Sequence, residues 1–401
     1  MKILFVATHP GLGVGYSRVA NKISNYLVSI PGNEVFYYAS QWYRNQIIED
    51  VFIDERIQMF DPEYYERDTP CSLGVNGLQD VIRLKKPDCL FIYNDPRTIV
   101  YYLDAIPPEI IPEKIYLYID ILYPWERLLY FSNIKHYKIT QIFTFLDTWT
   151  NHLIDDLKFK KELVTTLPHG VDFEDFRYIP TNEAKKLFGI EPDDFLIINM
   201  NSNTNRKMLD ITIRSFITFI IDMKLNPKIK LYLGSFIRKR ATGVHLVEMA
   251  VTECLRKNID PNILIKNNFI FNDKPTQKTM NEMNIIFHAA DIGINTCCGE
   301  GFGLVQVEHA YCNKPQIVTK LDVFKETLGI HGFFADTITS FTVAGSTETY
   351  GHCYIPNEND IVKHMKYIYE NKNHIPESKE YIKAKYPWKN AYKVLDAFFR
   401  N

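Results

Sequence analysis

The chain has 401 residues, long enough for two ordinary cores, and its 46% hydrophobic content can supply both. Its 46 Lys and Arg nearly balance 48 Asp and Glu, for a formal net charge of -2, which argues against general nucleic-acid binding. No run approaches the roughly 18 apolar residues of a membrane span, and the opening Ile3 to Ala7 is too short for a signal h-region, so a soluble, cytoplasmic protein is expected. Two small basic clusters, Arg83 with Lys85 and Lys86, and Arg238 with Lys239 and Arg240, read as solvated surface. The seven cysteines include no Cys-x-x-Cys pair, and an odd number suits free thiols in a reducing compartment. Cys297 and Cys298 read as small buried side chains at a strand end.

Lys2 to Ala7 reads as a first strand and Pro10 to Gly15 as a glycine-rich turn. Tyr16 to Ser29 follows as a helix, with Val19, Ile23, Tyr26 and Leu27 on one face. This is a Rossmann-like opening. A dinucleotide site needs G-x-G-x-x-G and an acidic residue ending the second strand. Gly11, Gly13 and Gly15 are spaced otherwise and the strand Glu34 to Ser40 ends without an acid, so no dinucleotide cofactor is expected. Further strands are predicted at Asp88 to Tyr93, Lys114 to Ile119, Gln141 to Leu146 and Leu163 to Leu167, each a short apolar run suited to a parallel sheet covered on both faces. Carboxyl ends of such strands line the ligand crevice, which marks Asn94, Asp95, Asp120 and Asp147. Asp120 reads equally well as a helix N-cap or loop carboxylate.

Leu167-Pro168-His169-Gly170-Val171-Asp172 is a turn. His169 reads as a linker residue. The second domain restarts with a strand Phe195 to Asn199, a polar loop Asn199 to Asn205 and a helix from Arg206 to Ile221. Two cations at a helix N-terminus oppose the macrodipole and ask for a compensating anion, which a diphosphate would supply; the alternative is a solvated pair. Strands at Ile229 to Leu233, Asn268 to Phe271, Asp291 to Asn295 and Gln316 to Thr319 alternate with helices near 244–257, 276–289 and 304–312. After Pro387, Trp388, Ala391, Tyr392, Leu395 and Phe398 recur at helical spacing.

The stretch from Glu300 to Glu308 places two carboxylates around a glycine-rich turn that opens into an apolar helix. Gly301 and Gly303 permit positive φ or close approach to a ligand, and the amides of Phe302 to Leu304 then face a negatively charged group. A carboxylate beside an anion pocket is unfavourable unless hydroxyls donate to it. A nucleotide sugar carries phosphates and hydroxyls together. The alternative is a capping turn with two solvated glutamates.

These residues resemble the retaining GT-B glycosyltransferases of family 4, whose signature is a Glu, seven residues and a second Glu, here Glu300 and Glu308. The likeness extends to Ala290-Asp291 before the strand, the Gly301-Phe302-Gly303 core, and Lys314-Pro315 opening the next strand. It also covers Arg206-Lys207 after the first strand of the second domain, and the turn at His169, where the family carries Asn and ends its first domain, which implies domains of 1–175 and 176–380 and a final helical segment of 381–401. The resemblance implies two Rossmann-like domains facing across a cleft, with the terminal helix crossing back to the first. It implies transfer of a sugar from a nucleotide diphosphate donor, GDP-mannose favoured over UDP-sugars, to a hydroxyl of a glycan, lipid or glycoprotein with retention. In that reading Glu300 accepts from donor-sugar hydroxyls and Glu308 from ribose. Gly301, Phe302, Gly303 and Leu304 contact sugar or phosphate, Gly13 lines the cleft, and Asn272 touches the base. Asp120 stands where many of these enzymes carry His. With no Asp-x-Asp in the chain, Arg206 and Lys207 replace a metal and no cofactor is needed. A sugar-nucleotide epimerase, a glycan phosphorylase and a non-catalytic binding protein of the same fold stay open, as does a homodimer.

Overall fold

Runs of Ile, Leu, Val, Phe and Tyr bounded by turn residues form the strands, as a sheet buried on both faces requires. The computed structural model describes residues 1–41, 51–65, 73–237, 243–272, 278–342 and 351–400. It divides into two units, Met1–Gly170 with Trp388–Asn401, and Val171–Val343 with His352–Pro387. Cys71 and the cluster Arg238, Lys239 and Arg240 lie outside the described residues.

In the first unit β1 (Lys2–Thr8), β2 (Glu34–Ser40), β3 (Gln58–Phe60), β4 (Cys89–Asn94), β5 (Lys114–Ile119), β6 (Gln141–Thr144) and β7 (Val164–Thr166) form a sheet in the order β3-β2-β1-β4-β5-β6-β7. Every neighbouring pair is parallel. The order reverses between β1 and β4, which is the switch point of a doubly wound sheet. The helix Trp388–Phe399 packs on this unit through its apolar stripe: Phe399 stacks on Phe91 at 5.4 Å and Tyr392 on Tyr26 at 3.9 Å, while Tyr26 donates to Asp396 at 2.7 Å. Burying a Phe of this kind contributes roughly 2–3 kcal/mol.

His169 is a core residue of this unit, packed among Phe145 (4.1 Å), Tyr118 (5.7 Å) and Tyr93 (6.4 Å), so its reading as a linker residue is corrected. Burial lowers its pKa to about 3, which keeps the ring neutral. Gly170 beside it is obligatory, because a Cβ would lie 2.4 Å from the Trp388 ring.

The second unit repeats the pattern with β8 (Phe195–Asn199), β9 (Ile229–Phe236), β10 (Phe269–Asn272), β11 (Ile292–Asn295), β12 (Gln316–Thr319) and β13 (Gly332–Ala335) in the order β10-β9-β8-β11-β12-β13, all parallel. Its switch point falls between β8 and β11. An antiparallel pair, β14 (Thr337–Thr342) and β15 (His352–Pro356), adds to it.

One helix boundary differs in a way that matters. Asn205–Lys207 is a single 3-10 turn, Met208 takes φ 45, and the α-helix runs from Leu209 to Asp222. Arg206 and Lys207 therefore do not oppose a helix dipole as expected. The Thr296 hydroxyl reaches the carbonyls of Lys207 at 3.1 Å and Met208 at 2.8 Å, and these bonds hold the turn in a form that helix propensity alone would not select.

Candidate active site

Polar side chains at the carboxyl ends of β8 and β11 hold the loops of the second unit in place. Asn199 donates to Thr212 at 2.9 Å, and its oxygen accepts from the Asn201 amide and side chain at 3.1 and 2.8 Å. Asn295 donates to Gln306 at 2.8 Å and accepts from the Cys297 amide at 3.0 Å, tying the strand end to the helix Leu304–Tyr311. Thr212 and Thr296 share a 2.8 Å hydrogen bond that ties the helix Leu209–Asp222 to the end of β11. Buried polar networks of this sort specify one geometry when every member is satisfied.

That frame brings Arg206, Lys207 and Glu300 together across more than ninety residues of chain. Arg206 Nη1 donates to Glu300 Oε1 at 3.3 Å and to the Gly299 carbonyl at 2.8 Å, while Lys207 Nζ donates to Glu300 Oε2. Side-chain exposure is 20% for Arg206, 9% for Lys207 and 10% for Glu300. Burial pushes the Glu300 carboxyl up, but the charges of Lys207 and Arg206 and their hydrogen bonds outweigh it and hold it at about 2. The carboxylate is thus ionised at every working pH. The anion that the two cations face in the structure is Glu300 itself.

Glu300 leads into Gly301, Phe302 and Gly303. Gly303 has φ 81, a left-handed conformation that suits glycine, and a Cβ there would lie 2.6 Å from the Phe324 ring. Phe302 is buried edge-on against Tyr386 at 5.2 Å. The helix that follows has no side-chain cap, and its first backbone bonds run from Gln306 N and Val307 N to Gly303 O at 3.0 and 3.1 Å, so the amides of Leu304 and Val305 precede the helical ladder. Glu308, one turn in, has 0% exposure, and a ribose hydroxyl would reach it only after neighbouring atoms move aside. Asn272 ends β10, is 7% exposed, and donates to the Gly234 carbonyl at 3.2 Å. Cys297 and Cys298 beside this loop are buried, and burial raises the Cys297 pKa further from reactivity.

Gly13 and Asp120 belong to the first unit. Gly13 takes φ 62 after the 3-10 turn Pro10–Leu12, a conformation that accounts for the glycine there. Asp120 does not cap a helix; its carboxylate accepts from Tyr16, whose ring stacks on Tyr93 at 5.0 Å. Among the marked strand-end residues Asp95 is the N-cap, accepting from the amides of Arg97 and Thr98 at 2.9 and 3.1 Å, and it also pairs with Arg127.

Sequence reasoning passed over Tyr16, Glu126 and Arg127, since nothing in Trp125-Glu126-Arg127 announces burial. Trp125 and Arg127 both take positive φ, at 62 and 51, and turn Glu126 inward to 1% exposure. Its Oε1 accepts from the Leu122 amide at 2.5 Å, and burial, against the pull of Arg127, raises its pKa from 4.5 to about 8. The native state therefore holds a proton that the unfolded chain loses above 4.5, so this contribution to stability is full below pH 4.5 and is lost as pH rises toward 8. Glu126→Gln should be more stable than wild type at pH 8, by on the order of 4 kcal/mol, and close to it at pH 4.5. Denaturant melts at the two pH values check this; equal differences at both would contradict it.

Among the described residues no group of three or more His, Cys, Asp or Glu side chains is arranged to hold a metal, and no helix is long and apolar enough to cross a membrane.

No protein-family model matches the chain, and none of the curated proteins compared with it does. Solved structures do. Sucrose-phosphate synthase from Thermosynechococcus elongatus aligns with a TM-score of 0.73 at 13% identity, over 100% of this chain and 98% of that one. Anabaena HepE in complex with UDP and glucose gives 0.69 at 14% identity, over 99% and 98%. WaaG, a glycosyltransferase involved in lipopolysaccharide biosynthesis, gives 0.65 at 12% identity, over 99% of each chain. At these identities the likeness defines a fold: two parallel-sheet α/β units, as in GT-B glycosyltransferase structures.

Proposed function

We propose that the chain is a retaining glycosyltransferase that uses a nucleoside diphosphate sugar without a metal. The observation that carries this reading is the nearly buried Glu300 held between Arg206 and Lys207 at the carboxyl ends of β8 and β11, followed by the uncapped helix at Leu304. Two fixed cations and helix-start amides suit a diphosphate, and a carboxylate beside them suits the hydroxyls of the attached sugar. In the reaction the bond from the anomeric carbon to the diphosphate oxygen breaks and a bond from that carbon to the acceptor oxygen forms on the same face. The acceptor proton passes to the departing phosphate oxygen. Arg206 and Lys207 stabilise the charge that grows there, and Glu300 orients the sugar. Glu308 is assigned to the ribose, Asn272 to the base, Gly301 to Leu304 to sugar and phosphate, and Gly13 and Asp120 to donor or acceptor contacts.

The donor panel starts with UDP-glucose, since HepE structures carry UDP and glucose or UDP-glucose, and includes GDP-mannose, the donor favoured by the sequence resemblance. Acceptors are hydroxyls of glycans, lipids or glycoproteins. Release of nucleoside diphosphate with each donor, with and without acceptors, tests the class. NMR of the first-formed glycoside should show the donor's anomeric configuration, and an inverted product would refute the retaining mechanism. Rates should be unchanged in excess EDTA; loss of activity restored by Mg²⁺ or Mn²⁺ would refute metal independence. Glu300→Gln should cut turnover by roughly 10-fold to 100-fold, as expected for charge-assisted hydrogen bonds worth about 1.5–3 kcal/mol each. Glu308→Gln should instead weaken nucleoside diphosphate binding more than sugar transfer.

A further inference from the structure

We propose that Glu300 makes the site discriminate between the nucleotide sugar and the free nucleoside diphosphate, by competing with the diphosphate for Arg206 and Lys207; the inference rests on the nucleotide-sugar reading above. Both cations are turned to the one carboxylate, Arg206 to Oε1 at 3.3 Å and Lys207 to Oε2. A diphosphate that takes up these cations must draw them from Glu300. What remains is a carboxylate with only 10% of its side chain exposed and without its partners, a costly arrangement because water is not there to replace them. A free nucleoside diphosphate brings no hydrogen-bond donors to the sugar position. The nucleotide sugar does, since its hydroxyls can donate to the oxygens that the cations vacate. Glu300 therefore subtracts from the affinity of the free diphosphate and returns that loss only when a sugar is attached, which favours donor binding and hastens product departure. The lowered pKa of Glu300, at about 2, reports how firmly the cations are committed to it.

Calorimetric titration of UDP, GDP, UDP-glucose and GDP-mannose into wild type and Glu300→Gln tests this on the full chain. Glutamine keeps the shape and an acceptor but no longer holds the cations by charge. The expected result is that the variant binds the matching nucleoside diphosphate roughly 10-fold tighter, while its nucleotide sugar binds no tighter, so that the ratio of the two affinities falls. Thermal shift should agree, the diphosphate raising the melting temperature of the variant more than that of wild type. If Glu300→Gln fails to fold, Glu300→Asp, which withdraws the carboxylate by one methylene, should show the same direction with smaller size. Unchanged or weaker diphosphate binding in the variant overturns the proposal, as does equal tightening of both ligands. If wild type binds none of the four, the nucleotide-sugar reading itself falls, and the proposal with it.

Discussion

Lys207→Ala should lower kcat by roughly 10²- to 10³-fold, the loss seen when one preorganised donor to a developing negative charge is removed. It should also destabilise the fold, because Glu300 is left nearly buried with Arg206 as its remaining cationic partner among the three charged groups. Breaking a buried pair on one side costs on the order of 3–5 kcal/mol. The two effects separate in a double variant. Lys207→Met with Glu300→Gln removes both charges and should recover most of the stability while leaving turnover low. Denaturant melts and steady-state rates on wild type, Lys207→Met, Glu300→Gln and the double variant complete the cycle. Recovery of turnover along with stability would mean that Lys207 serves the fold alone. Arg206→Ala should cost turnover by a similar factor with less loss of stability, since its side chain is 20% exposed and makes the longer contact of 3.3 Å.

Gly303→Ala should be nearly as damaging, through geometry instead of charge. The φ of 81 costs a residue with a Cβ about 1–2 kcal/mol, and the new methyl would meet the Phe324 ring at 2.6 Å, so the loop must shift. A displacement near 1 Å at Glu300 and the helix-start amides is enough for about a 10²-fold loss in kcat. Gly189 supplies the control. Its φ is 95 and nothing lies within 4 Å of the place a Cβ would take, so Gly189→Ala bears the backbone strain alone. It should lose about 1–2 kcal/mol and keep its rate. Equal losses of rate in both variants would show that global destabilisation explains the effect. Gly303→Ala with Phe324→Leu, which makes room for the methyl, should regain part of the rate.

Every strand predicted from the sequence is present, with ends displaced by a few residues, because a short run of β-branched and aromatic residues between turn residues suits a parallel sheet, which is buried on both faces. The helices Leu128–Ile134, Pro261–Asn268, Asp322–Leu328 and Glu358–Asn371 were not legible, and three of the four are short pieces whose apolar stripe acquires a period only against the neighbour that covers it. The pair β14 and β15 was missed for a related reason: Thr337 to Thr342 is a polar and apolar mixture whose partner strand begins at His352. At the helix after β8 propensity pointed to Arg206, yet the chain begins it at Leu209, since hydrogen bonds from Thr296 hold the preceding carbonyls elsewhere.

By itself the sequence determined the two alternations of strand and helix, the glycine-rich corner at Gly301 to Gly303 and the candidate charged residues around it, because these depend on local spacing and on the conformations glycine permits. Only the tertiary structure decided which charges meet. Glu300 and Lys207 are 93 positions apart in the chain, and nothing local says that the carboxylate turns to the cations. The inward turn of Glu126 and the burial of His169 among three aromatic rings are decisions of the same kind. In each case the side chain's charge state is set by desolvation and by partners from distant strands, and these exist only once the sheet has brought the strand ends together.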